Sequence, residues 1–238
     1  MHRLFHEFAH RYDLHTPPGH YQHDHAFVIK EALRVSPVNC RLLDVGCGTG
    51  VFLESAISAG IDGHGIDASS EMIEVSRRRL GEDRARVQRM QDISDKSDYD
   101  VVCALSWTIH YCESEAQLQD ILNRGRRALR SGGLILLQVA NDVCMTGAVK
   151  IDRELGPSGE PDDTYFVHRF LPQNDPNHRV IAEYVYTSVA LSELLYEQHE
   201  LGFASPSLIA DAVRKSGFGN VCIMKSESIA PFVLGIAP

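Results

Sequence analysis

The 238-residue sequence lacks several features that would narrow its class at once. No CxxC pair occurs, and the six cysteines (Cys40, Cys47, Cys103, Cys112, Cys144, Cys222) are scattered. They form neither a disulfide framework nor a spaced zinc set, and they read as reduced thiols of a cytoplasmic protein. There is no apolar run near the roughly 18–20 residues of a membrane span, so no membrane partner is expected. Positive charge is in deficit: 23 Lys and Arg face 32 Asp and Glu, a formal charge of −9, which argues against a nucleic-acid binder. The opening MHRLFHEFAHRYDL is polar and His-rich rather than a secretory leader. Neither repeats nor low-complexity tracts are visible.

What is present is an alternation. Short apolar runs at 41–45, 63–67, 85–93, 100–105 and 134–140 read as strands. Helix-period segments fall between them, at 51–60, 69–80 and 115–130, after a first helix ending near Pro37. Such alternation predicts an α/β, Rossmann-like, doubly wound parallel sheet with ligands at the carboxyl ends of its strands. From 141 to about 178 the period is lost, and the stretch reads as an inserted substrate loop carrying Tyr165, Phe166 and Phe170. A strand at 179–191, a helix at 205–218 and a terminal hairpin (220–224, 231–237) complete the chain. We expect one domain, with a lid at 1–38, a core at 39–140, a substrate cap at 141–204 and a closing unit at 205–238.

LLDVGCGTG, residues 42–50, is the strongest signal. A strand delivers Asp44 to a loop bearing Gly46, Gly48 and Gly50, where the backbone turns sharply and a ligand approaches without a Cβ in the way. The N–H groups of the following helix then face that ligand. Asp67 ends the second strand, suited to ribose hydroxyls, and Asp92 ends the third, suited to an adenine amine. A dinucleotide fingerprint has no use for Asp44 before its glycines and needs GxGxxG, whereas Val51 stands at that third position.

These motifs resemble the class I S-adenosylmethionine-dependent methyltransferases from about residue 40 to 140. GHGIDAS is similar to their ribose-binding strand end, QDI to their adenine segment, and the terminal hairpin to their reversed last strand in a seven-stranded sheet. The resemblance implies S-adenosylmethionine as cofactor, held by Tyr21, Asp44, Gly46, Gly48, Gly50, Asp67, Ala68, Met72, Asp92, Ile93 and Leu105, and S-adenosylhomocysteine as product. SWTIHY at 106–111, HELGFASPSLIADAVRKSGF at 199–218 and RYDL at 11–14 look like segments of the deoxyaminosugar N,N-dimethyltransferases of natural-product biosynthesis. That likeness implies His110 and Tyr12 as catalytic residues lining the acceptor pocket, with Asp13 incidental. Trp107, Tyr111, Tyr165, His168 and Arg169 are the candidate acceptor contacts, and Arg169 or Arg179 would clamp an anionic acceptor.

Methyl transfer from a sulfonium is an in-line displacement that needs no metal, so none is expected. His20, His23 and His25 read as a solvated or lid-forming segment. The expected activity is transfer to a nitrogen of a small-molecule acceptor, with a homodimer compatible. O-methylation with His110 as general base is the alternative. A non-catalytic cofactor-binding partner, or a nicotinamide-dependent reductase, are readings from other classes; tight NAD(P)H binding would favour the last.

Overall fold

The computed structural model describes residues 2–15, 19, 21–141, 146–155, 161–188, 193–225 and 230–238. The α-helices among these residues are α1 (Tyr12–His15), α2 (Gln22–Val35), α3 (Val51–Ser58), α4 (Ser70–Leu80), α5 (Glu115–Ala128) and α6 (Pro206–Lys215). The strands among them are β1 (Arg41–Val45), β2 (Asp62–Asp67), β3 (Ala85–Val87), β4 (Tyr99–Ala104), β5 (Leu129–Gln138), β6 (Lys150–Leu155), β7 (Pro161–Pro172), β8 (Val180–Ser188), β9 (Glu193–Leu201), β10 (Gly219–Lys225) and β11 (Pro231–Ile236).

Seven strands form the core sheet in the order β10-β11-β5-β4-β1-β2-β3. Strands β1 to β5 run parallel, and β11 lies antiparallel to β5. Its two faces bury separate clusters, because alternate residues of a strand point to opposite sides. Leu43, Val102, Ile135 and Val233 meet α5 and α6 on one face. Leu42, Val101, Leu136 and Phe232 meet α2, α3 and α4 on the other. The order reverses direction at β1, flanked by β4 and β2, which is where open α/β sheets take ligands. Capping follows the sequence: Ser69 Oγ accepts from Met72 N–H (3.1 Å) at α4, and Ser114 Oγ from Gln117 N–H (3.2 Å) at α5.

Two expectations need correcting. The stretch after residue 141 is not one irregular loop: β6 to β9 form a second, antiparallel four-stranded sheet. Residues 173–179 of the turn-rich stretch connect β7 to β8, while the strands themselves are too mixed in polarity to read as regular. The third core strand ends at Val87 rather than near 93, and Met90–Asp92 form a 3₁₀ turn. Among the described residues, no helix is long and apolar enough to cross a membrane.

Candidate functional site

The loop after β1 carries three glycines in the left-handed region, Gly46 (φ 75°), Gly48 (φ 53°) and Gly50 (φ 83°). Their reasons differ. A Cβ at Gly46 would stand 2.5 Å from the Thr108 side chain, and one at Gly50 would stand 2.6 Å from Ser76 Oγ. Both are packing glycines. Nothing lies within 4 Å of a Cβ at Gly48, so that residue alone borders open space.

Two carboxylates flank the loop. Asp44 is buried, and its hydrogen-bonding partner is the weak donor Cys103 Sγ at 3.6 Å. Burial, with the Asp67 charge nearby, pushes its carboxyl up to about 7. Asp67 accepts N–H bonds from Gly48 (Oδ2, 2.9 Å) and Ser69 (Oδ1, 2.9 Å), tying the loop to the start of α4. Its carboxyl is raised by burial against the pull of those N–H groups. Asp92 does not join them: it is exposed and paired with Arg89 (2.9 Å) in the 3₁₀ turn. The expected triad of strand-tip carboxylates is therefore a pair. Met72, Ile93 and Leu105 are buried beside this region, Tyr21 is partly buried and Ala68 is exposed.

The segment after β4 bends abruptly, with Ser106 (φ 47°) and Trp107 (φ 65°) both left-handed. Two successive non-glycine residues in that region store strain that the surroundings must hold. Part of that hold is a buried chain in which Ser106 N–H donates to Gln138 Oε1 (2.8 Å) and Gln138 Nε2 to Asp24 (2.7 Å). Neither Gln138 nor Asp24 stood out in the sequence, since the pairing joins α2 to the tip of β5.

His110 requires the largest correction. It is fully buried; Nδ1–H donates to Gly202 C=O (2.9 Å) and Nε2 accepts from Ala140 N–H (2.9 Å). Both ring nitrogens are committed, and the accepted bond fixes the neutral tautomer. Burial holds the pKa down at about 4. Gly202 N–H returns a bond to the His110 carbonyl (2.7 Å), so this residue joins the β4 loop to the end of β9. It is a structural staple rather than a general base.

The lid also departs from expectation. Asp13 is not incidental: it accepts from Thr49 Oγ1 (2.5 Å) in the glycine loop and pairs with Arg79 of α4. Ser69 Oγ donates to the Phe5 carbonyl, and His6 meets Glu71 at 2.8 Å. Tyr12 is partly buried against Phe5. His25 is buried and its pKa lowered by that burial, His23 is exposed, and His20 lies outside the described residues.

Strand alternation sorts the acceptor candidates. Phe166, His168 and Phe170 share one face of β7 and stack with Tyr184 and Tyr186 of β8. That face meets the core: Phe170 packs on Trp107 (4.9 Å between ring centroids) and Tyr186 stacks on Phe8 (6.1 Å). Tyr165 and Arg169 have the opposite parity. Arg169 pairs there with Glu183, and Arg179 with Asp175 and Glu200, so both expected clamps are engaged in ion pairs with neighbouring carboxylates. Tyr111 lies on the inner side, its hydroxyl 2.7 Å from Nδ1 of His199, a buried residue the sequence reading did not single out.

Residues 42–133 match the model of a methyltransferase domain. That segment spans the glycine loop, Asp44, Asp67 and the first five strands of the core sheet as far as the start of β5. The chain is 28% identical over 134 residues to a dTDP-3-amino-3,6-dideoxy-alpha-D-glucopyranose N,N-dimethyltransferase of Streptomyces fradiae, covering 56% of this chain and 52% of that one. A ubiquinone biosynthesis O-methyltransferase of Xanthomonas axonopodis matches at 29% over 114 residues, 45% of this chain and 46% of that one. The chain spans about half the length of the curated relatives it matches. Solved structures match over far more of it. DesVI of Streptomyces venezuelae superposes with a TM-score of 0.79 at 17% identity, over 95% of this chain and 97% of that one. An amino pentose methyltransferase from Micromonospora echinaspora, solved with its SAM bound, gives 0.73 at 18% over 90% of each. The chain thus shares the Rossmann-like fold of those structures.

Proposed function

We propose that the protein is an S-adenosylmethionine-dependent methyltransferase acting on a nitrogen of a small-molecule acceptor, of the amino-sugar or specialised-metabolite class. The observation that carries this reading is the buried Asp44 beside the one loop glycine that borders open space. An ionised carboxylate with only a thiol for a partner is costly in the absence of a cation, and an amino-acid ammonium is such a cation. Asp44 would hold that ammonium, Gly48 would admit the ligand against bare backbone, Asp67 would accept from ribose hydroxyls, and Met72 and Ile93 would offer apolar surface to the base. When bound, S-adenosylmethionine supplies a methyl on a positively charged sulfur, open to displacement by a lone pair.

The acceptor would lie between the strand tips and the aromatic face of the second sheet, against Trp107, Tyr111, Phe170 and Tyr184. An amine must be neutral to attack, and burial among aromatic rings lowers an ammonium's pKa without a dedicated base. That suits a site whose histidine is locked. O-methylation needs a base, and the candidate for that role, His110, has no free nitrogen. Incubating the purified chain with labelled S-adenosylmethionine and a panel of amino sugars, amines and phenols tests the reading. Labelled amine supports it; label on phenols alone, or tight NAD(P)H binding in place of S-adenosylmethionine binding, overturns it.

A further inference from the structure

Away from the glycine loop, three potential metal ligands converge where the N-terminal segment crosses β9. Glu197 and His199 are two residues apart on that strand and so share its face. Leu4 N–H donates to Glu197 Oε1 (3.0 Å) and Arg3 N–H to Oε2 (2.9 Å), which fixes the segment and brings His2 over His199. The two imidazole centroids lie 3.6 Å apart at an interplanar angle of 32°. One nitrogen from each histidine and one carboxylate oxygen all lie within 4.8 Å of one another.

Two details point beyond an ordinary ion pair. Nε2 of His199 is fully buried, and no hydrogen bond satisfies it, although Glu197 Oε1 is 3.0 Å away off the direction of an N–H. The His2 carbonyl accepts from Phe5 N–H (3.1 Å), and its ring lies against Phe5, Tyr111 and His199. Tyr111 engages Nδ1 of His199 (2.7 Å). If Nδ1 carries the proton, that contact leaves Nε2 with its lone pair, the arrangement by which a neighbouring group orients a metal-binding imidazole.

We propose that His2, Glu197 and His199 form a binding site for a divalent transition metal of the zinc class, pinning the N-terminal segment to the second sheet. Two imidazoles and one carboxylate are a donor set that zinc accepts, with a fourth position open to water or to a ligand group. Zinc bonds of about 2.0–2.2 Å would require the His2 ring to rotate out of its stack on His199, so that the two lone pairs converge, and the three donors to close up. The site stands apart from the carboxylate pair at the glycine loop, so it does not depend on the methyl-transfer reading, and cofactor binding is measured separately.

The test uses the untagged full chain, stripped with a chelator, titrated with Zn²⁺ by calorimetry and with Co²⁺ by its visible absorption. One equivalent per chain is expected. His2→Ala and His199→Ala should each weaken it by about a hundredfold or more, and Tyr111→Phe by about tenfold. His23→Ala, on the exposed side of α2, should leave it unchanged and so exclude general capture by the His-rich N-terminus. If His199→Ala fails to fold, His2→Ala carries the test, because His2 lies on a partly exposed segment. Failure to bind Zn²⁺ at micromolar concentration, or binding that survives His2→Ala, overturns the proposal.

Discussion

The two sheets hold their polar groups in opposite ways. In the seven-stranded sheet those groups sit at strand tips, where a few adjacent residues and their backbone set the geometry: Asp44, Gly48 and Asp67 lie within one turn and one strand end. In the four-stranded sheet they stand along the strands among aromatic rings, as His168, Tyr184 and His199 do, and the partner of His199, Tyr111, comes from 88 residues away in the chain. The first arrangement suits a ligand that never changes. The second suits an acceptor that differs from one enzyme to another, because a side chain can be exchanged without disturbing a turn.

His110 joins the two regions, and removing it should have the largest effect. His110→Ala leaves Gly202 C=O and Ala140 N–H without their partner, at a cost of about 2–4 kcal/mol by denaturant unfolding. The wild type has a matching pH dependence. The folded pKa of about 4 lies below the ordinary 6.5, so the unfolded chain binds the extra proton. This contribution to stability is therefore full above about 6.5 and falls away as pH drops toward 4, by about 2–3 kcal/mol. The variant should lose that part of the slope. A pH–rate profile that shifts in the variant while stability holds would restore His110 as a base.

Gly48→Val should come next. It fills the open space and forces a β-branched residue to φ 53°, weakening S-adenosylmethionine binding about a hundredfold while far-ultraviolet circular dichroism keeps the fold signature. Unchanged affinity would mean the ligand lies elsewhere. On the second sheet, Phe170→Ala should raise the acceptor KM about tenfold and leave cofactor affinity within twofold, the converse of the glycine variant. Equal effects on both ligands would erase the division between the sheets. Arg169→Ala, on the outward face beside Glu183, should leave both stability and kinetics essentially unchanged, and a large acceptor effect would reverse its placement.

What the sequence made legible follows the same division. Core strands such as VVCAL and LILLQVA are apolar along their length because helices cover both faces, so composition alone marks them. The glycine loop was visible because its residues are neighbours, although only Gly48 is spared by packing. The second sheet was not visible beyond β8. In FVHRF every second residue is aromatic or histidine, and treating that as alternation would have separated His168 from Arg169. The lock on His110 could not be foreseen, since its two partners lie 30 and 92 residues away in the chain. His2 and His199 escaped notice for the same reason, and Asp13 because its partners Thr49 and Arg79 belong to other elements.

Calorimetry of S-adenosylmethionine binding to the wild type and to Asp44→Asn, from pH 6 to pH 8, tests the account most directly. With the Asp44 carboxyl near 7, the wild type should bind about tenfold more tightly at the upper pH, as the acid ionises and meets the ammonium. Asp44→Asn should bind more weakly at every pH and lose the pH dependence. Equal binding by the two proteins, or no binding by the wild type, would contradict a cofactor site built on Asp44.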